Sequence, residues 1–449
     1  MDRLAITQVN ASAGAGGAEG IARQLHRGYL ARGHDATLLV GRGEAREPGV
    51  RPFPSDWRTR LRHDLAGVQR IADRRRGRET FAYPATRRVV QSLAGTDIVH
   101  LHNLHGGYFD LRVLPSLSAR LPVFLTLHDA WLLSGHCAHS FDCERWRTGC
   151  GSCPDLTIYP AVTVDDTAGN WQRKRDIFQR SHLFLAAPSR WLARRVEASM
   201  LAPAIAELRV IPNGVDRTAF RPGDRAAARR ELDLPADDPI LLFVGSGAGT
   251  NPFKDLATLE RAAALAGERL RRDLTLLVLG DTAPDRDAGH ARIRFVPYLE
   301  TTAAVARCYQ AADLLVHAAH ADTFPTTVLE AMACGTPVVA TAVGGIPEQV
   351  RSLGAGTGGD GWAAHPPAEA TGVLVPRADA AAMAAAIAGL LADDQLRAQL
   401  GANAARVAER DYDAERQCDT YLEWYRRILV RRAAGAVPAA REHAVQPGE

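Results

Sequence analysis

Twelve short apolar runs, separated by helix-like stretches, limit what this chain can fold into more than any other feature. In the first half they are LAITQV (4–9), ATLLV (36–40), DIVHLH (97–102), VFLTLH (123–128), FLAAPS (184–189) and LRVIPN (208–213). In the second half they are ILLFVG (240–245), LTLLVLG (274–280), IRFVPY (293–298), DLLVHAA (313–319), PVVAT (337–341) and GVLVP (372–376). Many are continuously apolar, as strands buried on both faces must be. Helical stretches between them predict parallel α/β sheets. A chain of 449 residues is too long for one ordinary domain. PNGVDRTAFRPG (212–223) holds two prolines, two glycines and no clear period. The expected division is therefore a first domain at 1–211, a linker at 212–223 and a second α/β domain at 224–411. A C-terminal helix within 412–433 is expected to pack back on the first domain, and the tail 434–449 to be disordered.

Lys and Arg number 54 against 51 Asp and Glu, a net charge of +3, so no nucleic-acid partner is expected. No apolar run reaches spanning length, and the N-terminus lacks the charged-then-apolar layout of a signal peptide. The expected location is the cytoplasm. Seven cysteines in a reducing compartment argue against a disulfide framework. Charge is uneven, however. Segment 58–88 holds ten arginines, from Arg58 to Arg88, against Asp64, Asp73 and Glu79, with Leu61, Leu65, Val68, Ile71 and Ala72 at helical spacing. Two readings fit: a basic amphipathic helix on an anionic membrane, at its inner face, or a solvated helix face.

The first run opens onto SAGAGGAEG (12–20), and a helical pattern follows. A helix N-terminus behind a glycine loop binds anions through free amides. Gly14 and Gly16 fit the first two places of the dinucleotide fingerprint, but the third falls on Glu19. The second strand ends in Gly41-Arg42-Gly43 instead of an acid for a ribose hydroxyl, so the dinucleotide reading is weak.

In the second half, DLLVHAA runs into HADTFPTTVLEAMACGTPVV (320–339). Pro325 suits a helix's first turn, and Thr326, Thr327 and Val328 then offer free amides for an anion. Asp322 lies in the preceding loop, eight residues before Glu330. A phosphate cradle with two flanking carboxylates suits a sugar nucleotide: amides take the diphosphate and carboxylates take pairs of hydroxyls.

These residues resemble the retaining nucleotide-sugar glycosyltransferases of family 4. The hallmark there is two acids separated by seven residues, then a small-residue helix and C-G-x-P-V-V; EAMACGTPVV fits closely, and the resemblance covers most of the chain. It implies the GT-B fold, two Rossmann-like parallel-sheet domains facing across a cleft. It also implies transfer of a hexose from a nucleoside-diphosphate sugar to an acceptor hydroxyl with no metal or cofactor required. By that resemblance Asp322 contacts the donor sugar and Glu330 the nucleotide ribose. The usual first acid is Glu, and Asp shortens its reach by about 1.5 Å. VIPNGVD (210–216), with Asn213, resembles the interdomain segment, and GGIPEQV (344–350) and GVLVPRAD (372–379) resemble later loops. Gly16 and Gly17 resemble the glycine loop that approaches the donor phosphates. Of two basic residues expected on the diphosphate, Lys254 is present, whereas Ser246 replaces the Arg; Arg190 in PSRW could supply charge from across the cleft. Phe324 joins the donor side, and the nucleobase is expected near Pro297 and Tyr298. His128 takes the place of a histidine near the reaction centre, and His102, Asn103 and His105 line the acceptor side.

Cys137, Cys143, Cys150 and Cys153 lie in GHCAHSFDCERWRTGCGSCP (135–154). The spacing admits a structural zinc, reduced thiols or a disulfide. Cys308, Cys334 and Cys418 read as apolar fillers. The acceptor reads as a lipid-linked or glycan intermediate of exopolysaccharide, lipopolysaccharide or glycolipid synthesis, or as a soluble small molecule. Two rivals stay open: a metal-dependent transferase using Asp285-Arg286-Asp287, and a non-catalytic sugar-nucleotide-binding protein on the same scaffold.

Overall fold

Seven strands form the first sheet: β1 (Ala5–Asn10), β2 (Asp35–Val40), β3 (Val50–Pro52), β4 (Ile98–Leu101), β5 (Val123–Thr126), β6 (Leu183–Ala187) and β7 (Ile205–Val210). The structure, a computed structural model, describes residues 3–14, 16–43, 47–54, 56–245, 247, 249–356 and 361–435. Ser246, residues 357–360 and the tail from 436 lie outside the described residues. The strand order is β3-β2-β1-β4-β5-β6-β7, and every pairing is parallel. A second sheet holds β8 (Ile240–Val244), β9 (Leu274–Leu279), β10 (Arg286–Ala288), β11 (Ala291–Val296), β12 (Leu314–His317), β13 (Val338–Thr341) and β14 (Gly372–Val375). Its order is β10-β11-β9-β8-β12-β13-β14, parallel except for the β10–β11 hairpin. The chain is thus two doubly wound α/β units, one comprising the chain up to Ile211 and from Gln417, the other Pro212–Arg416.

Each strand order reverses once, between β1 and β4 in the first sheet and between β8 and β12 in the second. Open α/β sheets bind ligands outside the carboxyl ends of their strands at that reversal. The loops after β1 and β4, and those after β8 and β12, are therefore where chemistry is expected. β3 and β10 escape a reading by apolar runs because each is a three-residue edge strand, VRP and RDA.

Helix α1 (Gly17–Ala31) buries Ile21, Ala22, Leu25 and Tyr29. The last helix, Ala414–Ala433, joins the same core: Tyr421, Leu422, Trp424, Tyr425 and Ile428 pack with Ile6, Leu25, Phe124 and Phe184. Trp424 meets Phe124 edge-on at 4.8 Å between centroids. The buried hydroxyls are paired: Tyr425 with Tyr29 at 2.9 Å and with His100 Nδ1 at 2.7 Å, Tyr421 with Thr126 at 2.6 Å. Cys308, Cys334 and Cys418 are buried among apolar neighbours.

Helix α2 (Trp57–Arg75) differs. Its Asp56 cap accepts from the Thr59 amide at 2.7 Å, yet Thr59 is its one buried residue. Trp57, Leu61, Leu65, Val68 and Ile71 are all more than half exposed.

Trp424 is fully buried between two strands' aromatic residues, so Trp424→Ala should cost about 3–5 kcal/mol. Urea unfolding followed by intrinsic fluorescence and circular dichroism measures this.

Candidate active site

In the second unit the polar groups gather after β8 and β12. Lys254 Nζ donates to Asp322 Oδ2 at 2.8 Å and lies 3.3 Å from His317 Nε2. His317, the last residue of β12, places the same nitrogen 3.6 Å from Asp322 Oδ2. Burial alone would push the Asp322 carboxyl up. The Lys254 ammonium and then the His317 imidazole more than offset it and hold the acid well below the carboxylate range. Asp322 is therefore an ionised, acceptor-only group at neutral pH. The loop carrying it requires glycine at 344: φ there is +58°, and a Cβ would lie 1.8 Å from the Asp322 carbonyl oxygen.

Asp322 leads into the helix Thr326–Ala333, whose N-cap Pro325 makes no side-chain cap bond. Thr326, Thr327 and Val328 thus open the helix with amides free of a side-chain cap, an electropositive end. Asn213 Nδ2 donates to the Phe324 carbonyl at 3.2 Å, and Gln349 Nε2 to that of Pro325 at 2.9 Å. Asn213 Oδ1 and Thr327 Oγ1 are buried with no hydrogen-bond partner among the described residues. Glu330 Oε2 accepts from the Tyr309 hydroxyl at 2.6 Å. Burial pushes the Glu330 carboxyl up, opposed by the Tyr309 and Thr326 hydroxyls. The two acids thus sit in different states, one ion-paired and the other held by neutral hydroxyls. Beside Lys254 is an open cavity of about 410 Å³, lined also by Asn251, Asp255, Glu260, Arg286 and His320. Tyr298 is exposed just past β11.

In the first unit the glycine loop reaches α1 at Gly16, φ +138°, where a Cβ would strike Glu19 Oε2 at 2.3 Å. Gly17 has open space around it. Burial raises the Glu19 carboxyl, which its own amide and the Ser12 hydroxyl partly counter. Three imidazoles cluster along β4 and just past β4 and β5, His100 within β4 and His102 and His128 beyond the strand ends. His100 and His102 lie 4.2 Å apart between centroids, and His102 and His128 5.4 Å apart. His102 Nδ1 meets His128 Nε2 at 3.2 Å, and its Nε2 meets Gln8 at 3.0 Å. Burial lowers His128 to about 4, against the pull of Asp129. The Asp129 carboxylate goes instead to His105: Nε2 to Oδ2 is 2.6 Å, and the Trp131 amide donates to the other oxygen at 2.9 Å. Tyr159 stands 3.5 Å from His105 Nδ1. Asn103 donates its backbone N–H to Asn10 Oδ1 at 3.2 Å. Arg190 is exposed at the start of the helix Arg190–Glu197. Sequence reading missed Lys174. It is fully buried, ion-paired to Glu79 at 2.9 Å, and donates at 3.0 Å to the carbonyls of Trp131 and Ser134, fixing the segment after Asp129.

The family model described as Glycosyltransferase Family 4 matches residues 15–219, and that described as Glycosyl transferases group 1 matches 224–407. The chain belongs to the family 4 glycosyltransferases. D-inositol 3-phosphate glycosyltransferase of Kineococcus radiotolerans is 38% identical over 52% of this chain and 55% of its own length. Its namesake from Mycobacterium avium is 36% identical over 51% and 53%. The chain spans about half the length of these curated relatives. Among solved structures, sucrose-phosphate synthase of Thermosynechococcus elongatus matches with TM-score 0.64 at 20% identity, over 95% of this chain and 100% of that one. HepE of Anabaena, in complex with UDP, matches with TM-score 0.63 at 18% identity, over 94% and 100%. The fold of this family 4 chain is accordingly GT-B.

Of the three readings of the four cysteines, reduced thiols fits. Cys137, Cys143, Cys150 and Cys153 are free thiols, and among the described residues no three His, Cys, Asp or Glu side chains gather as a metal site. Cys150 Sγ accepts from the Gly135 amide at 3.2 Å, and Cys153 Sγ lies 3.4 Å from His136 Nε2. Burial pushes the Cys150 thiol up to about 11, so it is protonated at neutral pH. The structural zinc is not supported. The Asp285-Arg286-Asp287 run lies at the β10–β11 hairpin, where Asp285 Oδ1 accepts from the Phe295 amide at 3.0 Å.

Burial holds His100 at about 3 and His128 at about 4, below their ordinary 6.5. The unfolded chain therefore binds these protons first, and stability falls as pH drops from about 6.5 toward about 4. Urea midpoints measured across that range should decline, and His128→Asn should flatten the decline.

Proposed function

We propose that the protein moves a hexose from a nucleoside-diphosphate sugar to an acceptor hydroxyl, with retention at the anomeric carbon. The observation that carries this reading is the Lys254–Asp322 pair set beside the uncapped helix start that also bears Glu330. Lys254 and the amides of Thr326, Thr327 and Val328 take the diphosphate. Asp322 accepts from donor-sugar hydroxyls, and Glu330 from the ribose. Asn213, Phe324 and Tyr298 complete the donor side, and Gly16, Gly17 and Arg190 are assigned donor contacts by the family resemblance. His128, held neutral, hydrogen-bonds at the reaction centre without acting as a strong base. His102, Asn103 and His105 receive the acceptor. The anomeric carbon's bond to the diphosphate breaks as its bond to the acceptor oxygen forms, and the acceptor proton leaves on the departing diphosphate. Positive charge fixed at Lys254 and the helix end lowers the barrier to that departure.

The acceptor is membrane-borne, a lipid-linked or glycan intermediate of polysaccharide or glycolipid synthesis. The apolar stripe of α2, edged by arginines, is the observation that favours it. No described helix is long and apolar enough to cross a membrane, and the contact proposed is a peripheral one through the α2 stripe. A soluble polyol is the second reading, favoured by the inositol-phosphate glycosyltransferases among the relatives.

Thermal shift with UDP, GDP, ADP and dTDP should show stabilisation by one of them, unchanged by chelator. Stabilisation by none would overturn the donor reading. Asp322→Ala should abolish donor turnover with the fold intact; normal turnover would sink its assignment. Sedimentation with anionic vesicles should carry the protein down, and Leu65→Glu with Val68→Glu should release it. Failure to sediment would favour the soluble acceptor.

A further inference from the structure

We propose that His317 is a positioning residue for Asp322, holding its carboxylate in place when Lys254 turns to the donor diphosphate. This deepens the reading above and rests on it. His317 is fully buried at the end of β12, beyond the apolar Leu314, Leu315 and Val316. Packing alone gives no reason for an imidazole there. Its ring lies 6.3 Å from that of Phe243 between centroids. Its Nδ1 is buried with no hydrogen-bond partner among the described residues, so the side chain's one polar engagement is through Nε2. That nitrogen faces both members of the ion pair, at 3.3 Å from Lys254 and 3.6 Å from Asp322.

An imidazole can serve either partner. In one tautomer Nε2 accepts from the Lys254 ammonium; in the other, or when protonated, Nε2–H donates to Asp322. With no donor bound, Lys254 is the nearer partner of Asp322, at 2.8 Å against 3.6 Å for His317 Nε2. A diphosphate brings further negative charge and competes for the same ammonium. Asp322 then needs a second donor, and His317 is the one already in place. Burial and Lys254 both disfavour the charged imidazole, whereas Asp322 favours it. An arriving diphosphate acts in the same direction as Asp322, so donor binding should draw a proton onto this pair.

The test uses the full chain, the nucleoside diphosphate that stabilises it, and slow hydrolysis of the matching sugar nucleotide (UDP-glucose, GDP-mannose, ADP-glucose or dTDP-glucose). Calorimetric titration in two buffers of different ionisation heat should show proton uptake in the natural protein and none in His317→Leu. His317→Leu should lower kcat about tenfold while KM changes less than about twofold. His317→Gln, whose amide N–H can donate from nearly the same place, should recover part of kcat. In an Asp322→Asn background His317→Leu should add less than about a twofold further loss, because the two act as one unit. Unchanged kcat and proton uptake in a folded His317→Leu would overturn the proposal while leaving the donor site standing. Absence of binding by any nucleotide to the natural protein would overturn both.

Discussion

A parallel strand covered on both faces can offer polar groups to a ligand only where it ends. That constraint organises both units. Continuous apolar runs such as Leu183–Ala187 are wholly buried, so chemistry is excluded from strand interiors. It is displaced to the carboxyl ends, and the reversal of strand order opens a crevice at one place in each sheet. Gly16, His102 and His105 follow β1 and β4; Lys254 and Asp322 follow β8 and β12. The fold thus fixes where a site can be before any side chain is chosen.

Polar groups at those ends are still largely buried, and a buried polar group without a partner costs about 1–3 kcal/mol. Several are therefore paired from a distant part of the chain. Asp129 takes His105 rather than the adjacent His128, Lys174 takes Glu79, and the last helix brings Tyr425 to His100. The pairings decide chemical state as much as stability. Asp322, facing an ammonium, stays ionised, while Glu330, facing hydroxyls, is pushed upward. Two acids eight residues apart thereby come to stand in different chemical states.

Sequence reveals what is periodic or local and hides what depends on contact. The longer strands were legible because each is rich in apolar residues; β3 and β10 were not, since three residues at a sheet edge carry no period. Asp322, Glu330 and the helix opening behind Pro325 could be read from local spacing. Lys254 lies 68 residues from Asp322, and nothing in the spacing announces that they touch. His317 and Tyr309 escaped notice for the same reason: each looks like an ordinary member of a strand or helix until its partner is placed. The four cysteines show the converse. Their spacing permitted a tetrahedral site, but spacing fixes only chain separation. Backbone geometry directs Cys150 to an amide and Cys153 to His136 instead.

Helix α2 is the place where the rule of covered apolar faces is broken. Of the ten large apolar residues exposed among the described residues, five lie on this one helix. Their spacing, at 57, 61, 65, 68 and 71, places them on one side, and the first unit gains little from burying the other side, where Thr59 alone is covered. A surface stripe of this kind lowers solubility and contributes nothing to the core, so it is retained at a cost. Arginines at its edges supply the charge that an anionic lipid surface would neutralise, while the apolar side chains supply area to bury in it. The proposed membrane-borne acceptor gives such a stripe a purpose, because it would bring the protein to the surface where that substrate is held.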